Sequence, residues 1–412
     1  MRFTEKGEES MAFPITATTT GLAYTANSGN RTVSVIDTVK GATTANIQVS
    51  SSGWASPSDI AVSPDGSRAY AANPDNRSVS VIDTTTNTVT ATVALAAPGT
   101  VLTVSPDGKK VYVTGQSTGS VIVIDTATNT VSTKILVSGH QGIAVTPNGS
   151  RLYIGQYTER AVPVIDTATN QVIATVSTSG GCQGLAAHPD GTRVYVADNG
   201  GQRVSVINTA TNTITASIAM ASPPISVAVS PDGTGVYVGL DSGPVSLIDT
   251  AGNKVVATIP IWDAGALAVS PDGTFIYVPD YSTHTVSVID VASRAVTGSF
   301  AVGTKPCSVA FGPGTPLSTA TPTLVKGAPL KVRYSTVPGN VTSKNWVGIY
   351  PDDGGATIGK KNSFTWASAP NAAGSVTLDT GSVPGPGRYA AWYLYNDGYT
   401  TMAASPLTFT VT

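Results

Sequence analysis

Residues 63–93 read SPDGSRAYAANPDNRSVSVIDTTTNTVTATV, and residues 105–135 read SPDGKKVYVTGQSTGSVIVIDTATNTVSTKI. The phrase returns as TPNGSRLYIGQ from Thr146, HPDGTRVYVAD from His188, SPDGTGVYVGL from Ser230 and SPDGTFIYVPD from Ser270. From Ser63 through Ser105, Thr146, His188, Ser230, Ser270 and Gly312 the steps are 42, 41, 42, 42, 40 and 42 residues. Self-similarity at this period marks a β-propeller or a solenoid. It also sorts residues. Where the copies agree, the residue serves the scaffold; where one copy departs, another pressure has chosen it.

Each unit holds four short β-branched runs bounded by turn residues. In one copy they are DIAVS (strand A, from Asp59), RAYAA (B, from Arg68), SVSVID (C, from Ser78) and TVTATVAL (D, from Thr88). Between A and B lies Pro-Asp-Gly, in which Pro presets φ and Gly accepts a positive φ. Between C and D lies a turn framed by Asp83 and Asn87. Four strands at this period make a propeller blade. Six complete sets run from 57 to 302, and 21–50 supplies B, C and D without an A. The missing A is CSVAFGPG at 307–314, so a seventh blade is assembled from both ends of the repeat region. The expected fold is all-β, a seven-bladed propeller over 21–314, preceded by an N-terminal tail over 1–20.

The recurring VYVTG, RVYVAD and VIDTATNTV resemble the YVTN family of propellers. That family is found in archaeal and bacterial surface-layer and secreted proteins. The resemblance implies the seven-bladed fold and a secreted or cell-envelope setting. It implies little about chemistry, because propellers host binding, scaffolding, lyase, lactonase and redox functions.

At 412 residues the chain is long enough for a second domain. TPLSTATPT, from Thr315, is a Pro/Thr linker over 315–322, and three of the five tryptophans follow it: Trp346, Trp366 and Trp392. Alternating runs there suggest a β-sandwich over 323–412. The string NWVGIYPDDG…FTWAS…GSVTLDTG…PGRYAAWYLYNDGY resembles the Ig-like accessory domain of secreted bacterial calcineurin-type phosphoesterases. No phosphoesterase metal motif accompanies it.

Charged residues make up only 12% of the chain and the net charge is −2. No basic block offers a nucleic-acid footprint. No apolar stretch approaches the roughly 20 residues of a membrane span. The N-terminus lacks an apolar signal-peptide core, so the chain as written reads as cytoplasmic. Cys182 and Cys307 fall in non-adjacent repeats, which argues against a bridge.

In a propeller the A–B and C–D turns share one face, while the D–A and B–C loops share the other, around the mouth of the channel. The first face is monotonous, so its aspartates read as turn scaffold. His188, in place of a turn serine there, reads as inert. The second face is where the copies disagree, and variable loops on a rigid frame are where binding residues concentrate. Its D–A loops offer Trp54, His140, Gln141, Cys182, Gln183, Trp262, Asp263, Lys305 and Cys307; its B–C loops offer Tyr157, Glu159, Asp198, Asp280, Tyr281 and His284.

Three readings follow, one of them a purely structural cell-envelope protein, as the family resemblance implies. The first is a binding scaffold whose variable face receives a small molecule, glycan or protein, with no cofactor. Its ligand residues would be Trp54, Gln141, Tyr157, Gln183, Asp198, Trp262, Asp280, Tyr281, His284 and Lys305. The alternative is a lyase, hydrolase or isomerase in the same funnel, cofactor-free or metal-assisted. There His140 would be the acid/base, since imidazole titrates near neutrality. Cys182, Glu159 and Asp263 would be its partners. A metal set of Asp198, Asp241, Asp280 and His284 lacks ligand spacing. No phosphate loop or hydrolase elbow appears.

Overall fold

The computed structural model describes residues 21–312, apart from 39, 50–55, 116–118, 138–139 and 263, together with nine strands beyond them. Residues 21–312 form a seven-bladed β-propeller. Blade 1 orders its strands Pro306–Phe311, Leu22–Asn27, Thr32–Asp37 and Ala42–Gln48, so the last strand of the ring completes the first blade. Blades 2 to 7 follow in chain order, with innermost strands Asp59–Val62, Val101–Val104, His140–Val145, Cys182–Ala187, Pro224–Val229 and Ala268–Val269. Neighbouring strands within each blade are antiparallel, as short connections require. The innermost strands touch one another around a closed circle, blade 7 meeting blade 1 and blade 1 meeting blade 2.

The core lies between blades. Each sheet buries both faces, so its middle strands read as continuous Val, Ile and Tyr. One cluster joins Tyr70, Val79 and Val81 of blade 2 to Leu102, Val111 and Val113 of blade 3. The repeat tyrosines Tyr24, Tyr70, Tyr112, Tyr153, Tyr195 and Tyr277 are all fully buried, which assigns them to the scaffold. Buried aromatic rings of this size dominate core energetics.

The monotonous face is a set of self-satisfied turns. Ser63 Oγ donates to Asp65 Oδ1 (2.6 Å) and accepts the Arg68 N–H (2.9 Å). Ser105, Ser230 and Ser270 make the same bond to Asp107, Asp232 and Asp272. The turn glycines, such as Gly66 at φ +73° and Gly233 at φ +74°, occupy the left-handed region that costs a Cβ dearly. In the C–D turns the amide N–H groups of Thr86, Thr128 and Thr169 hold the carboxyls of Asp83, Asp125 and Asp166 below the usual range. His188 is buried in this face, Nε2 lying 2.9 Å from the Gly233 carbonyl oxygen and Nδ1 accepting the Asp190 N–H. Arg193 Nη1 donates to the Thr250 carbonyl of the next blade (2.9 Å), as Lys110 Nζ does to Thr167 (3.1 Å).

Beyond Gly312 the described strands form two sheets. One pairs Pro329–Ser335 with Ser318–Thr319 and with Ala373–Asp379. The other runs Thr323–Leu324, Leu407–Val411, Gly387–Tyr395, Trp346–Pro351, Thr365–Ser368. Among the described residues no helix is long and apolar enough to cross a membrane.

The innermost strands leave little room for side chains. A Cβ on Gly142 would collide with the Gln183 carbonyl oxygen of the next blade, and one on Gly184 would stand 2.9 Å from Ser226 Cα. Gly142→Ala is therefore expected to lower the unfolding free energy by about 1–3 kcal/mol, the usual cost of overpacking. Urea denaturation of the purified variant measures it.

Candidate functional site

The variable face is described in all blades except where its loops cross 50–55, 116–118, 138–139 and 263. Trp54 and Asp263 lie outside the described residues. His140 is described by its backbone, which opens the innermost strand of blade 4 opposite Gln156. Gln141 and Gln183 follow His140 and Cys182 on the innermost strands of blades 4 and 5 and are half-buried.

Several expected site residues are committed to local structure. Cys182 is fully buried, its sulfur 3.2 Å from Thr178 Oγ1. Burial pushes the Cys182 thiol up to about 11, so at neutral pH it is protonated and shielded, the reverse of an activated nucleophile. Asp198 is also fully buried. Its Oδ2 accepts the Ser179 hydroxyl (2.5 Å) and N–H (3.1 Å), tying the end of strand B to the preceding D–A loop. Asp280 Oδ1 accepts the N–H groups of Ser282 and Thr283, both at 2.9 Å, and so shapes its own turn.

His284 stands at φ +61°, a position taken in other blades by Arg31, Arg77, Arg160 and Gln202, all left-handed. The B–C turn demands this backbone, and the identity of the side chain is free to vary. His284 Nδ1 accepts the Lys305 N–H at 3.2 Å, joining a B–C loop to the next D–A loop. Among the described residues no three His, Cys, Asp or Glu side chains gather as a metal set, Asp198, Asp241, Asp280 and His284 included.

What the face presents outward is aromatic. Trp262 is 60% exposed, Tyr281 47% and Tyr157 43%. Tyr157 packs its ring edge over Gly181, where a Cβ would meet the ring carbons within 3 Å. Lys305 Nζ lies 5.3 Å from the Tyr281 ring centroid, within cation–π range. Glu159 is exposed in the same loop as Tyr157.

The residue that sequence reasoning missed is Asp59, on the innermost strand of blade 2. Its Oδ1 accepts the Ser308 hydroxyl of blade 1 (2.6 Å), and its Oδ2 accepts the Leu102 N–H of blade 3 (2.9 Å). One carboxylate thus clasps three consecutive blades. Asp59 as a residue is half-buried, while protein packs densely around its carboxyl. Burial raises its pKa to about 6 against the opposing pull of those two hydrogen bonds. Beside it, Cys307 lies 3.3 Å from the carbonyl oxygens of Ala26, Pro57 and Ser58, and burial followed by the Asp59 charge pushes its thiol up to about 12. A signal for Asp59 existed. Four residues before each turn serine the copies read Asp59, Val101, Gly142, Gly184, Ser226, Ala266 and Ser308. One carboxylate stands in a column that is otherwise neutral and mostly small.

Two outcomes are expected. A carboxyl whose folded pKa exceeds its unfolded value stabilises the fold most below the unfolded value, and the benefit is lost as pH rises through about 6. The stability of the protein minus that of Asp59→Asn should therefore fall by about 3 kcal/mol between pH 4 and pH 8, the equivalent of about two pKa units. Urea titrations at both pH values read it. Neither Cys182 nor Cys307 should react with a thiol reagent at pH 7.5 in native protein, and both should react in urea; rapid native labelling of either would contradict their burial.

No protein-family model matches the chain, and no curated protein does. Solved structures do. A chain of the hydrazine synthase of Kuenenia stuttgartiensis is similar at 21% identity and a TM-score of 0.60, covering 71% of this chain and 99% of its own. A functionally unknown protein of Desulfotomaculum acetoxidans is similar at 17% identity and a TM-score of 0.60, covering 70% of this chain and 99% of its own. At such identities the likeness is one of fold: the chain carries a seven-bladed β-propeller.

Proposed function

We propose that this protein is a binding scaffold, a propeller of the YVTN kind whose variable face, formed by the D–A and B–C loops, receives a ligand or partner. The observation that carries this reading is the distribution of exposed apolar bulk. Among the described residues the large exposed hydrophobic side chains fall in two places. Leu136, Tyr157, Trp262 and Tyr281 lie on or beside the variable loops, and Val172, Ile173, Val255, Val256 and Val296 lie on outermost strands. None lies in the Pro-Asp-Gly or C–D turns, whose aspartates are bonded to neighbouring turn groups. Exposed Trp and Tyr on loops held by a rigid frame are the usual anchors of recognition.

The C-terminal sheets are proposed to form the Ig-like sandwich that their sequence resembles, an accessory module on the propeller. The enzymatic alternative centred on His140, with Glu159 or Asp263, rests on repeat register alone. The burial of Cys182 weighs against the thiol as its nucleophile.

Hydrogen exchange in the presence of a captured ligand or partner tests the binding reading. Protection is expected in the loops around Tyr157, Trp262 and Tyr281. Protection confined to the Pro-Asp-Gly turns or to residues 323–412 would overturn it.

A further inference from the structure

Among the described residues blade 7 gathers aromatic rings and charged groups at one bridge. The bridge Ala264↔Asp280 is antiparallel, and Gly265 N–H donates to the Pro279 carbonyl at 3.2 Å. Trp262 lies two residues before this bridge on the D–A loop, and Tyr281 lies one residue after it on the B–C loop. Across the next seam Lys305 sets its ammonium 5.3 Å from the Tyr281 ring, its own N–H held by His284 Nδ1. Trp262 and Tyr281, the two most exposed rings among the described residues, therefore stand on the two loops that this bridge joins, a rim that also carries the Lys305 ammonium and the Asp280 carboxylate. Among the described residues Lys305 makes no ion pair, and Asp280 uses only Oδ1 in its turn.

We propose that this rim binds a neutral saccharide. The inference rests on the binding reading above and names its ligand class. Three features select the chemistry. The rings offer flat apolar faces that suit the C–H faces of a sugar, with tyrosine and tryptophan giving large contact at low entropic cost. The polar groups between them are of both signs and kinds: an ammonium donor, a carboxylate acceptor and the hydroxyls of Ser282 and Thr283. A hydroxyl both donates and accepts, so a polyol uses all of them, whereas an anionic ligand would meet the Asp280 carboxylate and a cationic one the Lys305 ammonium. The rings also stand in polar loop surroundings. A protein partner would favour a contiguous apolar centre depleted of charge.

The test is an array of neutral oligosaccharides (glucan, mannan, galactan and xylan tetramers) probed with the full-length protein. Acidic uronate tetramers and an acidic peptide serve as comparison probes, and tryptophan fluorescence titration follows each hit. The expected result is saturable binding of at least one neutral tetramer, weakened tenfold or more by Trp262→Ala and by Tyr281→Ala, and unchanged by Ile173→Ala, on an exposed outermost strand. Circular dichroism and urea midpoints of the variants verify that the exposed substitutions leave the fold intact. Binding of the uronates or the peptide alone would overturn the saccharide assignment while leaving the binding face standing. Neutral binding that survives Trp262→Ala and falls with Tyr157→Ala would move the site and refute this rim. A ligand that protects only the turn face would refute the rim and the binding reading together.

Discussion

The pairing of Pro306–Phe311 with Leu22–Asn27 is the constraint on which the ring depends. Without it two sheet edges would stand open, one at each end of the repeat array, and open edges recruit foreign strands. With it every blade has a neighbour on both sides, and the Val, Ile and Tyr side chains of each sheet are buried twice. Closure also explains why the seam is chemically unlike the rest. Ser308 on the closing strand meets Asp59, and Ala266 of blade 7 pairs in parallel with Ser308, its N–H donating to the Cys307 carbonyl at 3.0 Å. The last strand is thus held by blade 2 on one side and blade 7 on the other.

Asp59 shows how a carboxylate can look catalytic and be structural. A raised pKa near a channel is a fair reason to suspect acid/base chemistry. Here each oxygen already accepts a hydrogen bond from a different blade, so the group spans a gap that small residues leave in the other copies. Its elevated pKa is the cost of placing that charge among closely approaching backbones.

The two faces divide labour on physical grounds. The Pro-Asp-Gly face solves the same turn repeatedly with the same atoms, so its serines and aspartates are engaged within their own turns. The other face repeats a backbone demand, a left-handed residue before strand C, which Arg31, Arg77, Arg160, Gln202 and His284 all meet. Asp198 and Asp280 serve their own loops, while the side chains at that left-handed position vary and the rings of Trp262, Tyr281 and Tyr157 stand in solvent.

The amino-acid sequence by itself determined the all-β class, the seven blades, their closure by the two ends of the repeat and the split into a uniform and a variable face. Periodicity and turn chemistry are local, and they repeat often enough to be read without coordinates. Tertiary structure decided which variable residues are available. Cys182 and Asp198 vary among the copies as Trp262 does, yet packing between blades buries the first two and leaves the indole in solvent. It also singled out Asp59, whose partners Ser308 and Leu102 lie far away in the chain on opposite sides. Burial and long-range hydrogen bonding arise only when strands from different repeats meet, and no alignment of the repeats encodes that meeting.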